Sequence, residues 1–285
     1  MFPVLLTDTV STDLDRALHY ALLWGHEGLV LRTMGRHGER IPYVNEAKLR
    51  RRLDEHEMPL VAVVPGLFEG TASDRAQGFT DLGELTEVAA FCQRFGCGIA
   101  LVGALADDPD ADLAAGADLL RRAGDVAQRH QLVLAVSNAA GTACASGLSL
   151  AKLLDAVGHP HVRAAWNPVA ALRGGGLAAD ALEADALTAD ALAADALTAD
   201  VGALAGHVAF VTVRDGRGGA EAWSESAPGE GAVGWSTHLA ALRACGFDGP
   251  LCLEVHGEPT GPFGLQATTS LVQLVRAQRR SERNA

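Results

Sequence analysis

Glu254 and His256 lie two positions apart near the end of the chain, and their side chains have the chemistry of a proton-transfer pair. They follow the apolar run 251–253, and the alternation of an extended segment places both side chains on the same face. A carboxylate and an imidazole that face one substrate can act as general base and general acid. Asp215 follows another apolar run and is a further carboxylate of this kind. We therefore predict Glu254, His256 and Asp215 as catalytic residues.

Polar residues at the ends of other apolar runs are candidates for binding an oxygenated substrate. Ser137 and Asn138 follow the run 132–136, and comparable polar positions end the next two runs. Hydrogen-bond donors at such points can bind polar groups of a substrate and stabilise negative charge that develops on it. The predicted substrate-binding residues are Arg32, Ser137, Asn138, Asn167, Thr212, Arg214 and Arg217.

The elements that must position these residues are short apolar runs that alternate with longer helical patterns. Most of the runs are continuously apolar, which is typical of strands covered on both faces in a parallel sheet. A doubly wound sheet would be expected to carry a glycine-rich turn after its first strand, but the segment 7–11 contains no glycine. The predicted strands are 4–7, 28–32, 60–64, 99–102, 132–136, 162–166, 208–213 and 251–255. This pattern predicts a single α/β domain over residues 1–285, a (β/α)8 barrel whose site lies at the C-terminal ends of the strands.

The segment 177–200 is a low-complexity repeat of alanine, aspartate and leucine, with a leucine at every fifth position. Alanine and leucine favour a helix. A step of five residues turns about 140° around a helix axis, so the leucines are spread over several faces. We predict a helical insertion between strands six and seven that is peripheral, either exposed or engaged with another subunit, and that can be removed without loss of the barrel. A role in binding a protein partner is the alternative.

Composition and charge limit the partners and the cellular location that can be expected of this protein. The formal net charge is −12, half of which comes from acidic residues of the repeat, and no basic run is present, so nucleic acid is not an expected partner. No apolar run approaches the ~18 residues that a membrane helix needs, and the apolar start 1–6 lacks the basic residues of a signal peptide. The five cysteines lack zinc-ligand spacing and are expected to be reduced. We expect a cytoplasmic protein with a small-molecule substrate and no membrane partner, and leave a homo-oligomer open.

Several motifs together resemble the xylose isomerase-like barrels, a family of sugar-phosphate isomerases and epimerases with endonuclease relatives. In chain order they are Gly-His-Glu-Gly-Leu-Val-Leu-Arg at 25–32, Asn-Ala-Ala-Gly-Thr at 138–142, Trp-Asn-Pro at 166–168, Val-Thr-Val-Arg-Asp at 211–215, Gly-Glu-Gly at 229–231 and Phe-Asp-Gly-Pro-Leu-Cys-Leu-Glu at 247–254. Each motif is weak alone, but their order and spacing over most of the chain are fairly specific. The resemblance implies the same barrel.

The resemblance also implies a divalent-metal site, which in this family is formed by Glu, Asp, His and Glu from strands five to eight. The matching positions here are Ser137, Asn167, Thr212 and Glu254, so a single charged ligand remains. Neutral oxygens with one carboxylate hold a divalent cation weakly. We therefore expect neither a metal nor another cofactor, and the polar replacements favour a wet, open pocket.

These observations favour a metal-independent isomerase, epimerase, cyclase or lyase that moves protons on a small hydroxy-carbonyl substrate. Two alternatives remain open. One is a metal-dependent sugar or sugar-phosphate isomerase or epimerase whose ligands lie at other positions. The other is a non-catalytic barrel that binds a ligand or a protein partner.

Overall fold

Eight parallel strands close into a barrel in a computed structural model that describes residues 1–106, 113–142, 144–174, 186–218 and 223–283. The strands are β1 (Phe2–Leu6), β2 (Leu29–Leu31), β3 (Leu60–Val63), β4 (Ile99–Gly103), β5 (Val133–Ser137), β6 (Val162–Trp166), β7 (Val208–Val213) and β8 (Pro250–Leu253). Each pairs with its sequence neighbour, and β8 pairs with β1 to complete the ring. The predicted (β/α)8 barrel is confirmed, and each predicted strand overlaps an observed one.

Helices surround the barrel on the outside. They are α1 (Leu14–Trp24), α2 (Glu46–Glu55), α3 (Arg75–Phe95), α4 (Leu113–Arg129), α5 (Gly147–Val157), α6 (Pro168–Arg173), α7 (Ala186–Ala203), α8 (Trp235–Ala244) and α9 (Thr260–Arg283). Their ends follow local sequence signals. Asp13 begins α1 by accepting from the backbone N–H groups of Asp15 and Arg16, and Gly25 ends it at φ 84°, a conformation that glycine adopts without strain.

The barrel interior is filled by every second residue of each strand, because successive side chains of a strand point to opposite faces. The buried interior layer consists of Val4, Leu6, Val30, Ala62, Leu101, Ala135, Ala165, Phe210 and Cys252. The outward residues, such as Leu5 and Val63, pack beneath the helices in a larger apolar core. The next inward position of each strand therefore lies above the filled layer, at the C-terminal mouth.

Several segments build the rim of this mouth. The residue pairs Thr33–Met34 and Glu39–Arg40 form one antiparallel ribbon, and Asp215–Arg217 pairs with Ser224–Ser226 in another. The loop after β3 folds against the end of β4, where the N–H of Gly103 donates to the carbonyl of Leu67 at 2.8 Å. A Cβ at position 103 would lie 2.4 Å from the carbonyl oxygen of Phe68, so only glycine allows this approach.

Helix α7 corrects the prediction of a peripheral insertion. Its described side chains Ala193, Leu197 and Val201 are fully buried, and the helix packs between α5 and α8 as a member of the outer ring. Asp200 also accepts from the N–H of Leu148 at the start of α5, at 2.9 Å. The second half of the repeat is therefore an integral barrel helix. The leucines do lie on different faces, as the five-residue step predicts, because Leu192 is 42% exposed while Leu197 is 1% exposed. The part of the repeat before Ala186 lies outside the described residues.

None of the helices in the described part of the chain is long and apolar enough to cross a membrane.

Candidate active site

A cavity of about 370 Å³ lies at the C-terminal mouth of the barrel. Its walls come from the inward position that follows the filled layer on seven strands, together with the loops after β3, β4 and β5. The lining residues that these strand ends supply are Arg32, Val64, Gly103, Ser137, Asn167, Thr212 and Glu254. Five of them are predicted site residues, and the barrel brings all five to one cavity.

Arg32 provides a fixed positive charge at the cavity. Its Nε and one terminal nitrogen donate to the two carboxylate oxygens of Asp8, at 2.9 and 3.0 Å, and Thr33 Oγ1 donates to the same carboxylate at 2.6 Å. Burial lowers the pKa of Arg32, but the hydrogen bonds and charge of Asp8, with a smaller contribution from Glu254, raise it further, so the net shift is upward. Arg32 therefore stays protonated with its other terminal nitrogen, Nη1, facing no described protein acceptor.

Glu254 provides a negative charge at the cavity. One of its carboxylate oxygens lies 3.2 Å from Nε2 of His256, so the predicted pair does form. Glu254 is largely buried, with 20% of its side chain exposed, whereas His256 is 38% exposed and does not line the cavity. The geometry allows Glu254 to touch a bound molecule and leaves His256 in contact with solvent behind it.

Asn167 is oriented by the start of α6. Its side-chain oxygen accepts from the N–H of Ala170 at 3.0 Å and so caps that helix. Since this oxygen must face the N–H donor, the other amide atom, the Nδ2 donor, is the one left for the cavity. Ser137 and Thr212 add hydroxyl groups from the neighbouring strands. Three neutral donor side chains thus face the same space as Glu254.

Asn138 departs from the predicted substrate-binding role. Its side-chain nitrogen donates to the carbonyls of Ala145 and Asn167, at 3.1 and 2.9 Å, and its oxygen accepts from the N–H of Asn167 at 2.8 Å. The residue is 1% exposed. Its polar atoms are committed to joining the ends of β5 and β6, so it positions Asn167. It lines an adjoining cavity and not the main one.

Asp215 is also placed differently from its predicted catalytic role. It is fully buried, and its carboxylate accepts from the N–H groups of Gly216, Gly229, Gly231 and Val233, at 2.8–3.2 Å. Burial raises the pKa of Asp215, and these four donors oppose the rise by stabilising the charged form. The carboxylate holds the loop 229–233 against β7 and does not line the cavity.

The two remaining predicted arginines lie at the rim. Arg217 is exposed and donates to the backbone carbonyl of Glu230. Arg214 forms an ion pair with Glu225 and lines a second, adjoining cavity. Neither lines the main cavity, where both were expected to bind substrate.

Glu69 is a lining residue that sequence reasoning missed. It belongs to the loop after β3, beyond the strand end, so period-two alternation gives no information about it. The loop reaches the cavity because it is fixed at long range: Asp81 of α3 accepts from the N–H of Phe68 at 2.8 Å. The cavity therefore contains a second carboxylate.

The donor set at the four family ligand positions does not fit a divalent metal ion. The four family ligand positions carry one carboxylate and three neutral groups, and the amide atom of Asn167 that remains for the cavity is a donor, which cannot ligate a cation. Arg32 adds a positive charge beside Glu254, which further disfavours a cation there. Within the described ranges, no group of three or more His, Cys, Asp or Glu residues could hold a metal.

The fold matches that of known proteins. The family model described as "Xylose isomerase-like TIM barrel" matches residues 21–277. Among solved structures, L-ribulose 3-epimerase superposes with a TM-score of 0.73 at 13% identity, covering 99% of this chain and 97% of its own. The IOLI protein with a binding zinc atom superposes with a TM-score of 0.74 at 15% identity, covering 96% and 98%. The probable 3-DHS dehydratase AsbF from Bacillus anthracis gives 0.73 at 14% identity, covering 95% and 99%.

A search of the curated proteins found no match to this sequence. The family model nevertheless covers most of the chain, and the barrel agrees with it. The chain belongs to the xylose isomerase-like TIM barrel family.

Proposed function

We propose that this chain is a metal-independent enzyme of the isomerase, epimerase or lyase type that acts on a small hydroxy-carbonyl compound. The observation that supports this proposal most is that one cavity is lined by Glu254 and by the Arg32 guanidinium, which Asp8 holds in place, while its other strand-end polar groups are neutral. The names of similar structures, an epimerase and a dehydratase, fall within the same range of reactions.

The chemistry begins with Glu254. Its carboxylate accepts the proton of a carbon next to the carbonyl group, and the electrons of the broken C–H bond form a C=C bond while the carbonyl oxygen becomes an enolate oxygen. Arg32 and the Nδ2 group of Asn167 donate hydrogen bonds to this oxygen, in the role that a metal ion fills elsewhere. His256 contacts Glu254 and solvent, and so provides a route by which the carboxyl proton exchanges with water.

The fate of the enolate decides the product. Return of the proton to the opposite face of the same carbon gives an epimer. Protonation at the former carbonyl carbon, with transfer of the neighbouring hydroxyl proton to the enolate oxygen, gives an isomer. Departure of a hydroxyl group from the next carbon, protonated as water, gives a dehydrated product. Glu69 is placed to be the second acid in each case, because it lines the cavity from the β3 side.

The proposal is tested by solvent deuterium exchange. The protein is incubated in D2O with a panel of ketoses that includes L-ribulose, and exchange at the carbon next to the carbonyl is followed by NMR. We expect exchange that persists in the presence of a chelator and falls about 10²–10⁴-fold in Glu254→Gln. The matched control is Glu87→Gln, which alters an exposed glutamate of α3 outside the cavity.

Three outcomes would contradict the proposal. Exchange that a chelator abolishes and added metal restores would indicate a metal-dependent enzyme. Exchange that is equal in Glu254→Gln and Glu87→Gln would remove Glu254 as the base. Binding of panel members in a thermal-shift assay without any exchange would support the non-catalytic barrel.

A further inference from the structure

A second cavity of about 330 Å³ adjoins the first at the C-terminal mouth. The two cavities share a wall formed by Ser137, Ala139 and Asn167. Among the residues that the structure describes, the charged ones that line the second cavity are Arg173 and Arg214, and none of its lining residues in this part of the chain is a carboxylate. The first cavity, in contrast, contains two glutamates and one arginine. The two neighbouring spaces therefore differ in the sign of their charge.

Arg214 is held at the wall of the second cavity with part of its donor capacity unused. One terminal nitrogen pairs with Glu225, whose carboxylate oxygen also accepts from Trp223 Nε1 at 3.0 Å. Both partners of the ion pair are 15% exposed. The Nε group of Arg214 is buried and has no hydrogen-bond partner.

Arg173 adds a charge that the described residues do not compensate. It ends α6, is half-buried, and its side chain has no hydrogen bond or ion pair with any residue in the described part of the chain. Since Glu225 neutralises Arg214, the lining of the second cavity retains about one net positive charge. A guanidinium presents several donors in a plane, which matches the geometry of a carboxylate or phosphate group.

We propose that the second cavity binds the anionic group, a carboxylate or a phosphate, of a substrate whose reacting carbons lie in the first cavity. This inference rests on the proposed function and adds the substrate class, an acidic or phosphorylated hydroxy-carbonyl compound. Ser137 and Asn167 belong to both cavities, so a molecule that spans the shared wall passes the donors proposed to stabilise the enolate.

The first experiment measures binding of inorganic phosphate and of acetate by titration calorimetry or NMR. Arg173→Gln removes the uncompensated charge, and Arg276→Gln removes an exposed arginine of α9 as the matched control. We expect Arg173→Gln to bind these anions roughly 10–100-fold more weakly than the control, as expected for loss of a charge-assisted hydrogen bond. Arg214→Lys keeps a charge beside Glu225, and a moderate loss is expected because the planar fork is absent. Equal affinity in Arg173→Gln and Arg276→Gln would overturn the proposal. Anion binding by the Arg276→Gln control that is too weak to measure would also overturn it.

The second experiment identifies the source of the anion. Deuterium exchange is compared for L-ribulose, for its 5-phosphate and for a keto-sugar acid, in wild type and in Arg173→Gln. Faster exchange of one anionic compound, lost in Arg173→Gln, identifies phosphate or carboxylate as the recognised group. Glu254-dependent exchange with no preference for either anion, unaffected by Arg173→Gln, would refute the anion site while leaving the proposed reaction intact. Arg173-dependent anion binding with no exchange of any compound would refute the reaction and keep the anion site.

Discussion

At the scale of single residues, the ion pair of Asp8 and Arg32 determines where the positive charge of the cavity lies. Asp8 is 5% exposed and accepts three hydrogen bonds from Arg32 and Thr33. Arg32 is 43% exposed, so its charge is shared between Asp8 and the open cavity. An arginine fixed in this way can donate to a substrate without first losing side-chain freedom.

The first prediction concerns this pair. Asp8→Asn removes a buried negative charge and one hydrogen-bond acceptor. We expect it to lower the free energy of unfolding by roughly 1–2 kcal/mol. The expected loss is smaller than for a fully buried ion pair because Arg32 is partly exposed. Urea denaturation measures the difference. The control is Asp54→Asn, an exposed position of α2, and an equal small effect in both variants would show that the pair is not structural.

Period-two alternation placed Ser137, Asn167, Thr212 and Glu254 at the cavity correctly, because strand geometry fixes which side each residue faces. The same reasoning could not place Asp215. The position of its carboxylate depends on backbone N–H groups up to 18 residues further along the chain, and only the folded loop brings these groups near it. The sequence therefore predicts which way side chains face on strands, but it predicts much less about the positions of side chains on the loops that follow them.

At the scale of elements, α7 shows that a repetitive sequence can form part of a core. The predicted helix exists over Ala186–Ala203, but the inference from its leucine spacing to a peripheral position is wrong for this described part of the repeat. Burial follows the four-residue step Ala193, Leu197, Val201, which uses alanine and valine as well as leucine. Counting leucines alone therefore missed the buried stripe.

The second prediction tests this stripe. Leu197→Ala is expected to lower the free energy of unfolding by about 2–5 kcal/mol, because it leaves a cavity against the neighbouring helices. Leu192→Ala, five residues earlier and 42% exposed, is expected to change it by no more than ~0.5 kcal/mol. Chemical denaturation of both variants makes the comparison. Similar values for the two leucines would contradict the observed packing of α7.

At the scale of the whole molecule, two buried histidines make stability depend on pH. Burial lowers the pKa of His26 to about 4 and that of His238 to about 3. His238 Nε2 accepts from Trp166 Nε1 at 2.9 Å, a contact that requires the neutral ring. His26 joins the turn after α1 to α9, because its Nε2 lies 3.1 Å from the hydroxyl of Thr268.

The third prediction follows from these pKa values. An unfolded histidine takes up a proton below pH ~6.5, whereas the folded ones stay neutral, so protons favour the unfolded chain. The free energy of unfolding that these buried neutral histidines contribute is fully present above pH ~6.5. Below that pH each histidine lowers the free energy of unfolding by about 1.4 kcal/mol per pH unit, until the pH reaches its folded-state pKa. Denaturation at pH 7 and pH 5 measures the slope. His238→Gln should reduce it, the exposed His37→Gln should not, and a flat profile in the wild type would contradict the prediction.

The repeat that ends in α7 has a consequence for how the gene can change. Successive units of five residues, each starting at a leucine, are nearly identical, so a slip of the DNA polymerase that adds or removes one unit leaves the same residue types in front of Leu192. The contacts of Ala193, Leu197 and Asp200 with the neighbouring helices fix the end of the tract, so a change in length is expected before these residues. Natural alleles of this gene are therefore expected to differ in length here by multiples of fifteen nucleotides while keeping the buried end of the helix intact.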